Sequence, residues 1–205
     1  PTPAARPPTG PSSRAEALAS LLLTHVGGPT VLLEVGGWRL LTDPTFDPPG
    51  ERYRFGWGTA STKVAGPAVG VGELGPIDAV LLTHDHHADN LDGAGRELLG
   101  DVPVVVTTEA GARRLGGGAI GLAAGAATRL EAAGKPTIDV EATPCRHGPP
   151  LSRPIVGEVV GFALTWPGQE RGAVWVSGDT VLYPDLLGMA DRIDVGLAVL
   201  HLGGV

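Results

Sequence analysis

The sequence predicts an α/β or α+β sandwich, in which helices cover sheets of short strands. Short apolar runs alternate with stretches of helical spacing, and no repeat of fixed period interrupts them. The composition agrees, because a chain of 205 residues that is 42% hydrophobic can bury one layered core. Only 18% of the residues are charged and 32 are glycine, which is typical of a globular protein with many loops.

The N-terminal third carries three different signals. Residues 1–14 are rich in proline and polar side chains, and we expect a disordered arm there. The run EALASLLL at 16–23 predicts a short helix. Residues 30–43 predict a hairpin, because two β-rich runs flank the Gly-Gly pair at 36–37, a typical two-residue turn.

Residues 44–76 lack a regular pattern but contain several aromatic and basic residues. Structureless segments of this length are uncommon in compact domains and are often functional. One interpretation is that the aromatic side chains hold the segment against the core. The other is a substrate flap, in which aromatic rings form a wall and an arginine meets an anionic group. The residues of this flap would be Tyr53, Phe55, Trp57, Arg52 and Arg54.

The remaining chain alternates between the two element types, apart from a Gly/Ala-rich stretch that predicts nothing. The helix predicted after the strand at 77–83 would have Asp89 or Asn90 as its N-cap. Strands are predicted at 77–83, 102–108, 137–144, 156–167, 172–178 and 195–202. Helices are predicted at 90–99, 109–115 and 183–192.

Side chains that commonly bind metals follow the ends of four predicted strands. A lone histidine in such a place is more often structural, but several together favour a site. Strand ends at one edge of a sheet can converge in space, and ligand sites commonly lie in that crevice. The side chains in these positions are His84 and His86, His147, Asp179 and His201.

These side chains and Asp89 divide into two sets of metal ligands. Three neutral imidazole nitrogens suit zinc and other divalent ions, and they leave a fourth position for water. A carboxylate can bridge two ions, and Asp179, with Gly178 before it, is placed to do so. The first set is His84, His86 and His147, and the second is Asp89, Asp179 and His201.

The motifs that contain these residues resemble those of the metallo-β-lactamase-fold superfamily of hydrolases. The motifs are THDHHADNLD (83–92), TPCRHGP (143–149), SGDT (177–180) and LHLGG (200–204). The early segment at 27–46 resembles the branch that contains ascorbate-6-phosphate lactonase. The resemblance implies a four-layer αβ/βα sandwich with metals at one edge, here as a single metallo-hydrolase domain over 15–205. Since the sequence stops just after an apolar run, we expect the native chain to continue.

The same resemblance assigns ligands and shows one departure. The family motif is His-x-His-x-Asp-His, whereas here Ala88 stands four residues after His84, and Asp89 and Asn90 follow. Either one residue is inserted and Asn90 replaces the last histidine, or Asp89 stands in that place. Both alternatives leave the second site one strong ligand short unless His87 compensates. Asp43 in the opening strand pair is expected to be structural or to support a ligand histidine.

The expected function is metal-dependent hydrolysis of an ester, lactone, amide or phosphodiester bond in a small molecule. One or two divalent ions, zinc by preference and manganese or iron as alternatives, would lower the pKa of bound water from about 16 to roughly 7 and so supply hydroxide. Asp89 would orient that water or take its proton. The alternatives are a metal-binding member without catalysis and an iron-dependent redox enzyme with the same ligands.

The charge and cysteine content narrow the range of binding partners and the cellular location. A net charge of −7 without a basic run argues against binding to nucleic acids or anionic membranes. The single cysteine, Cys145, cannot form an internal disulfide. Since the N-terminus also lacks the apolar core of a signal peptide, we expect a cytoplasmic protein.

Overall fold

The computed structural model describes residues 20–56, 59–150 and 156–202, with the backbone alone at Phe55, Gly56 and Thr59. The predicted arm at 1–14 and the predicted pocket residue Trp57 lie outside the described residues.

The described chain forms two sheets and a separate hairpin. The first sheet has the strand order β1-β2-β3-β6-β7-β8, the second has the order β13-β12-β11-β10-β9, and β4 pairs with β5. The first-sheet strands are β1 (Leu21–Gly27), β2 (Thr30–Val35), β3 (Trp38–Thr42), β6 (Ala79–Leu81), β7 (Val104–Thr108) and β8 (Ile120–Leu122). The second-sheet strands are β9 (Ala127–Leu130), β10 (Ile138–Thr143), β11 (Gly161–Thr165), β12 (Ala173–Val176) and β13 (Val195–Val199), and the hairpin strands are β4 (Arg52–Gly56) and β5 (Thr59–Thr62).

The helices are short and lie between these strands. Within the described part of the chain, no helix has the length and apolar character that crossing a membrane requires. The helices are α1 (Val71–Leu74), α2 (Gly93–Leu98), α3 (Glu109–Leu115) and α4 (Pro184–Met189), and a 3₁₀ turn covers Leu99–Asp101.

The main core lies between the two sheets and follows from strand alternation. Along β10, Ile138, Val140 and Ala142 are fully buried in it, and the residues between them face the other side. Leu33 and Phe162 belong to the same cluster, from the first and second sheet respectively. Alternate side chains point to opposite faces of a strand, so each sheet contributes one apolar face to this core.

A second apolar cluster covers the outer face of the first sheet. Leu32 and Leu41 point there, and they pack with Leu74 of α1 and Leu91 just before α2. On the outer side of the second sheet, Arg192 after α4 pairs with Glu141 of β10 at 3.6 Å. Helical segments therefore lie outside both sheets, and the predicted α+β sandwich is confirmed.

Three local predictions differ from the structure. Residues 21–23 of the predicted helix lie in β1, because Leu21 pairs with Val35 of β2 and that pairing overrides local helical spacing. The segment 44–76 contains the β4–β5 hairpin and α1. The N-cap of α2 is Asp92, whose side chain accepts from the backbone N–H of Gly95, rather than Asp89 or Asn90.

Helix α2 approaches the chain after β3 closely, and this contact leads to a prediction about stability. A Cβ at Gly95 would clash with the Pro44 carbonyl oxygen, whereas a Cβ at Gly100 would meet nothing within 4 Å. Gly95→Ala should therefore lower the free energy of unfolding by about 1–3 kcal/mol or more. Gly100→Ala is the matched control and should stay within about 0.5 kcal/mol of wild type. Urea unfolding measures both, and equal stability of the two variants would contradict this packing.

Candidate metal centre

The polar residues that follow five strands meet at one edge of the sandwich. Asp43 follows β3, His84 lies just beyond β6, His147 comes after β10, Asp179 after β12 and His201 after β13. A backbone hydrogen bond from Val160 N–H to the Thr83 carbonyl (3.1 Å) links the chain before β11 to the chain after β6. The two sheets are thus joined at the edge where these side chains lie.

Asp179 lies at the centre of this group. Its Oδ2 is 4.0 Å from His84 Nε2 and 3.8 Å from His147 Nε2, and its Oδ1 is 3.4 Å from His201 Nδ1. Burial alone would raise the pKa of Asp179, but the surrounding imidazoles of His201, His84 and His147 lower it below its usual value. The two oxygens of one carboxylate therefore face two different histidine sets, which is the placement of a bridging ligand.

The backbone before Asp179 depends on a glycine. Gly178 has a φ of +61°, a conformation that L side chains rarely adopt. A Cβ there would also lie 2.8 Å from the Val160 carbonyl oxygen and 3.2 Å from Thr83. The close passage of this turn against β6 brings Asp179 to the histidines.

The orientation of His84 is set by a buried hydrogen-bond chain. The Thr83 hydroxyl lies 3.0 Å from His84 Nδ1 and 3.0 Å from both carboxylate oxygens of Asp43. The single hydroxyl hydrogen of Thr83 is donated to the Asp43 carboxylate. His84 Nδ1 therefore carries a hydrogen and donates it to the Thr83 oxygen, and His84 Nε2 keeps its lone pair. Burial lowers the pKa of His84 well below its usual value, so the ring is neutral, the form that binds metals.

His87, rather than His86, lies with the other two histidines. One donor nitrogen from each of His84, His87 and His147 lies within 4.8 Å of the others. The ring of His86 turns its Nε2 to the Val156 carbonyl oxygen. The sequence prediction put His86 in the first set and left His87 as a substitute, whereas in the structure a nitrogen of His87 lies with those of His84 and His147. This orientation of the His86 ring requires a glycine at position 157, because a Cβ there would overlap the imidazole.

Asp89 and Asn90 differ in where their side chains go. Asp89 Oδ1 is buried and meets no hydrogen-bond partner in the described chain. Burial first, and then the nearby charge of Asp179, raise the pKa of Asp89. Asn90 is 2% exposed, and its amide donates to the Thr83 hydroxyl at 3.4 Å. Asp89 is thus available to the site, whereas Asn90 supports the residue that orients His84.

His201 lies between two carboxylates. Its Nε2 is 3.6 Å from Asp43 Oδ2, opposite its contact with Asp179. Burial lowers the pKa of His201, but the neighbouring Asp179 and Asp43 outweigh it and the pKa is raised. Burial raises the pKa of Asp43 to about 7 despite the opposing charge of His201 and the Thr83 hydrogen bonds. Asp43 therefore supports both His84 and His201.

The donor atoms fit a divalent cation. Several are buried and make no hydrogen bond within the described residues, an arrangement that costs free energy unless another partner is present. Imidazole nitrogens and carboxylate oxygens are ligands of zinc, iron and manganese. The unpaired atoms at the centre are His84 Nε2, Asp89 Oδ1, His201 Nδ1 and His201 Nε2.

The loop that carries the histidines is anchored by residues that the sequence analysis did not select. Asp85 is 4% exposed, and its carboxylate pairs with Arg114 of α3 through two guanidinium nitrogens, with Nε–Oδ2 at 2.8 Å. Arg96 of α2 donates to the Asp85 carbonyl oxygen at 2.9 Å. The position of Asp85 between two histidines was the signal in the sequence for this anchor. Nothing in the sequence marks its partner Arg114, which lies 29 residues away.

The flap residues whose side chains the structure describes lie away from the histidines. Tyr53 donates its hydroxyl to Asp47 at 3.1 Å, and Asp47 in turn accepts from the backbone N–H of Ala94 in α2. Arg52 and Arg54 are exposed, and the side chain of Phe55 is not among those described. None of the described flap residues lines the cavity beside His147, which measures about 390 Å³. Its lining comes from 108–109, 122–124, 145–147, Pro149 and 156–160.

The histidine arrangement predicts which substitution removes metal. His87→Ala should strongly reduce bound metal, because its nitrogen faces those of His84 and His147. His86→Ala should retain most of it, since that ring contacts the Val156 carbonyl. Elemental analysis of the purified proteins after reconstitution measures both. The reverse result would restore the ligand set that the family motif implies.

The anchor of the loop predicts an effect on affinity without loss of a ligand. Arg114→Met removes the partner of the buried Asp85 carboxylate, so the affinity for divalent metal should fall about 10- to 100-fold, as for other residues that orient ligands. Arg113→Met, an exposed neighbour on the same helix, is the matched control. Competition titration with a chelator measures the affinity, and identical curves for the two variants would remove Arg114 from this role.

Comparison with known proteins agrees with this geometry. No curated protein matches the chain. Among solved structures, it is similar to an isothiocyanate hydrolase from Delia radicum gut bacteria (22% identity, TM-score 0.68, covering 87% of this chain and 70% of that one). It is also similar to the metallo hydrolase Igni18 from the archaeon Ignicoccus hospitalis KIN4/I (20% identity, TM-score 0.64, covering 90% of this chain and 72% of that one). A third similar structure is CmlA, a diiron β-hydroxylase from Streptomyces venezuelae (19% identity, TM-score 0.51, covering 76% of this chain and 28% of that one). The model of the beta-lactamase superfamily domain matches residues 38–202, and the chain belongs to that family.

Proposed function

We propose that this protein is a metal-dependent hydrolase that cleaves an ester, lactone, amide or phosphodiester bond of a small molecule. The observation that carries the proposal is the position of Asp179 between His84 and His147 on one side and His201 on the other. The hydrolase names of two similar structures support it. We propose zinc as the ion and a cytoplasmic location, and the branch with ascorbate-6-phosphate lactonase stays a prediction.

The residues of the chain have distinct tasks in such a reaction. His84, His87 and His147 would hold one ion, and Asp179 would connect it to a second ion at His201. When bound, such ions would acidify water to a pKa near 7 and polarise a carbonyl or phosphoryl oxygen. Asp89 would orient the attacking water and accept its proton, because its buried Oδ1 is otherwise unpaired.

An iron-dependent redox enzyme is the second candidate. It is favoured by the likeness to CmlA, a diiron β-hydroxylase, although this chain spans only 28% of that protein. The ligand chemistry does not separate the two candidates, since histidine and carboxylate bind zinc and iron alike. The metal that the protein retains during purification separates them.

A substrate panel tests the hydrolase proposal. Metal-loaded protein should hydrolyse at least one member of a set of 4-nitrophenyl esters, lactones and bis(4-nitrophenyl) phosphate, and chelation should abolish the activity until metal is restored. Asp89→Asn should lower kcat about 10²- to 10⁴-fold if Asp89 accepts the proton. Fully loaded protein that hydrolyses none of the panel would favour a binding role without catalysis.

A further inference from the structure

The cavity beside His147 has one arginine among its described lining residues. Arg146 and His147 are neighbours in the chain, and both line the cavity. Most of the other described walls are apolar, from Leu122, Val159 and similar side chains. A small molecule in this cavity would therefore have the candidate metal centre and one guanidinium within reach.

The backbone of Arg146 is fixed on both sides of its Cα. Its N–H donates to the Thr180 hydroxyl at 3.1 Å, and its carbonyl accepts from the N–H of Val181 at 2.9 Å. These bonds join it to the turn that carries Asp179. The position of Arg146 is thus coupled to the candidate metal centre rather than to a free loop.

The guanidinium of Arg146 is restrained, and one of its nitrogens has no partner among the described residues. Its Cζ lies 4.6 Å from the centre of the Tyr183 ring, a stacking contact that restricts the side chain. Its Nε–H is buried and meets no hydrogen-bond partner in the described chain. A buried donor on a charged group is costly to leave unpaired, so this nitrogen is suited to an acceptor from outside the chain.

Two carboxylates also belong to the described lining of the cavity. Glu109 is the first residue of α3, and Glu158 accepts from the N–H of Ala110 in the same helix at 3.4 Å. Arg146 and His147 come instead from the segment after β10, so the arginine and one histidine of the candidate metal centre share the same part of the lining.

We propose that Arg146 binds an oxyanion of the substrate, a carboxylate or a phosphate, while the bond to be cleaved lies at the candidate metal centre beside His147. This inference rests on the proposed function and adds a substrate class, small anionic esters, lactones or amides. The planar guanidinium can meet two oxygens of such a group at once, which a lysine cannot do.

A pair of esters of equal length tests the inference. Mono-4-nitrophenyl adipate ends in a carboxylate, and 4-nitrophenyl hexanoate ends in a methyl group. Metal-loaded wild type should prefer the adipate, and Arg146→Gln should reduce the ratio of the two kcat/KM values about 10- to 100-fold. Arg146→Lys should fall between them, because the charge stays but the planar fork is lost. Arg129→Gln, an exposed arginine in β9, is the control and should leave the ratio unchanged.

Each outcome either supports the proposed role of Arg146 or overturns it. An unchanged ratio in Arg146→Gln, together with a lower Tm, would show that Arg146 holds Tyr183 and α4, and would overturn the inference. If wild type cleaves neither ester, the substrate panel alone judges the proposed function, and a calorimetric titration of metal-free protein with adipic acid monoamide and hexanamide decides the role of Arg146. At least tenfold weaker binding of the monoamide to Arg146→Gln supports the inference, and equal binding overturns it.

Discussion

The contact between the Asp43 carboxylate and Thr83 is the constraint on which the candidate site depends. Asp43 is fully buried with a φ of +31°, and a non-glycine residue in that region costs of order 1–3 kcal/mol. The backbone N–H of Thr83 (2.7 Å) and its hydroxyl donate to the carboxylate, and the Thr30 hydroxyl donates to the Asp43 carbonyl (2.7 Å). These bonds compensate the strained backbone and align the ends of β3 and β6.

The same carboxylate connects the two sheets electrostatically. On one side it reaches His84 through the Thr83 hydroxyl, and on the other it lies 3.6 Å from His201, which follows the edge strand of the second sheet. Asp179 and Asp89 add two more carboxyl groups to this small volume. A neutral His84 beside several carboxyl groups is an environment in which a divalent cation is favoured, because the cation pairs with the acids and binds the neutral ring.

The parts of the site on strand ends could be predicted from the sequence, and the parts on loops could not. His84, His147, Asp179 and His201 follow apolar runs that form strands, so the sheet fixes where each lies. The choice between His86 and His87 depends on how the loop turns against Val156, a contact 70 residues away. No local pattern specifies such a contact.

The same reasoning applies to two segments of the N-terminal third. Tyr53 of the β4–β5 hairpin donates to Asp47, and Asp47 also accepts from the N–H of Ala94 in the first turn of α2, so these two contacts position the hairpin. At residues 21–23, pairing of β1 with β2 replaces the predicted helix by a strand, which packs Leu21 and Leu23 against the main core and leaves Leu22 exposed. In both cases a tertiary contact outweighed a weak local preference.

Strand ends and loops also divide the chemistry of the site. Apart from His87, the residues that would hold ions follow paired strands, where backbone hydrogen bonds leave little freedom. The cavity walls come from the ends of β7 and β8 and from the segments after β10 and before β11. Arg146 belongs to both parts, because it lines the cavity and its backbone is bonded to the turn after Asp179. A residue in that position can couple what the cavity accepts to where the reacting bond lies.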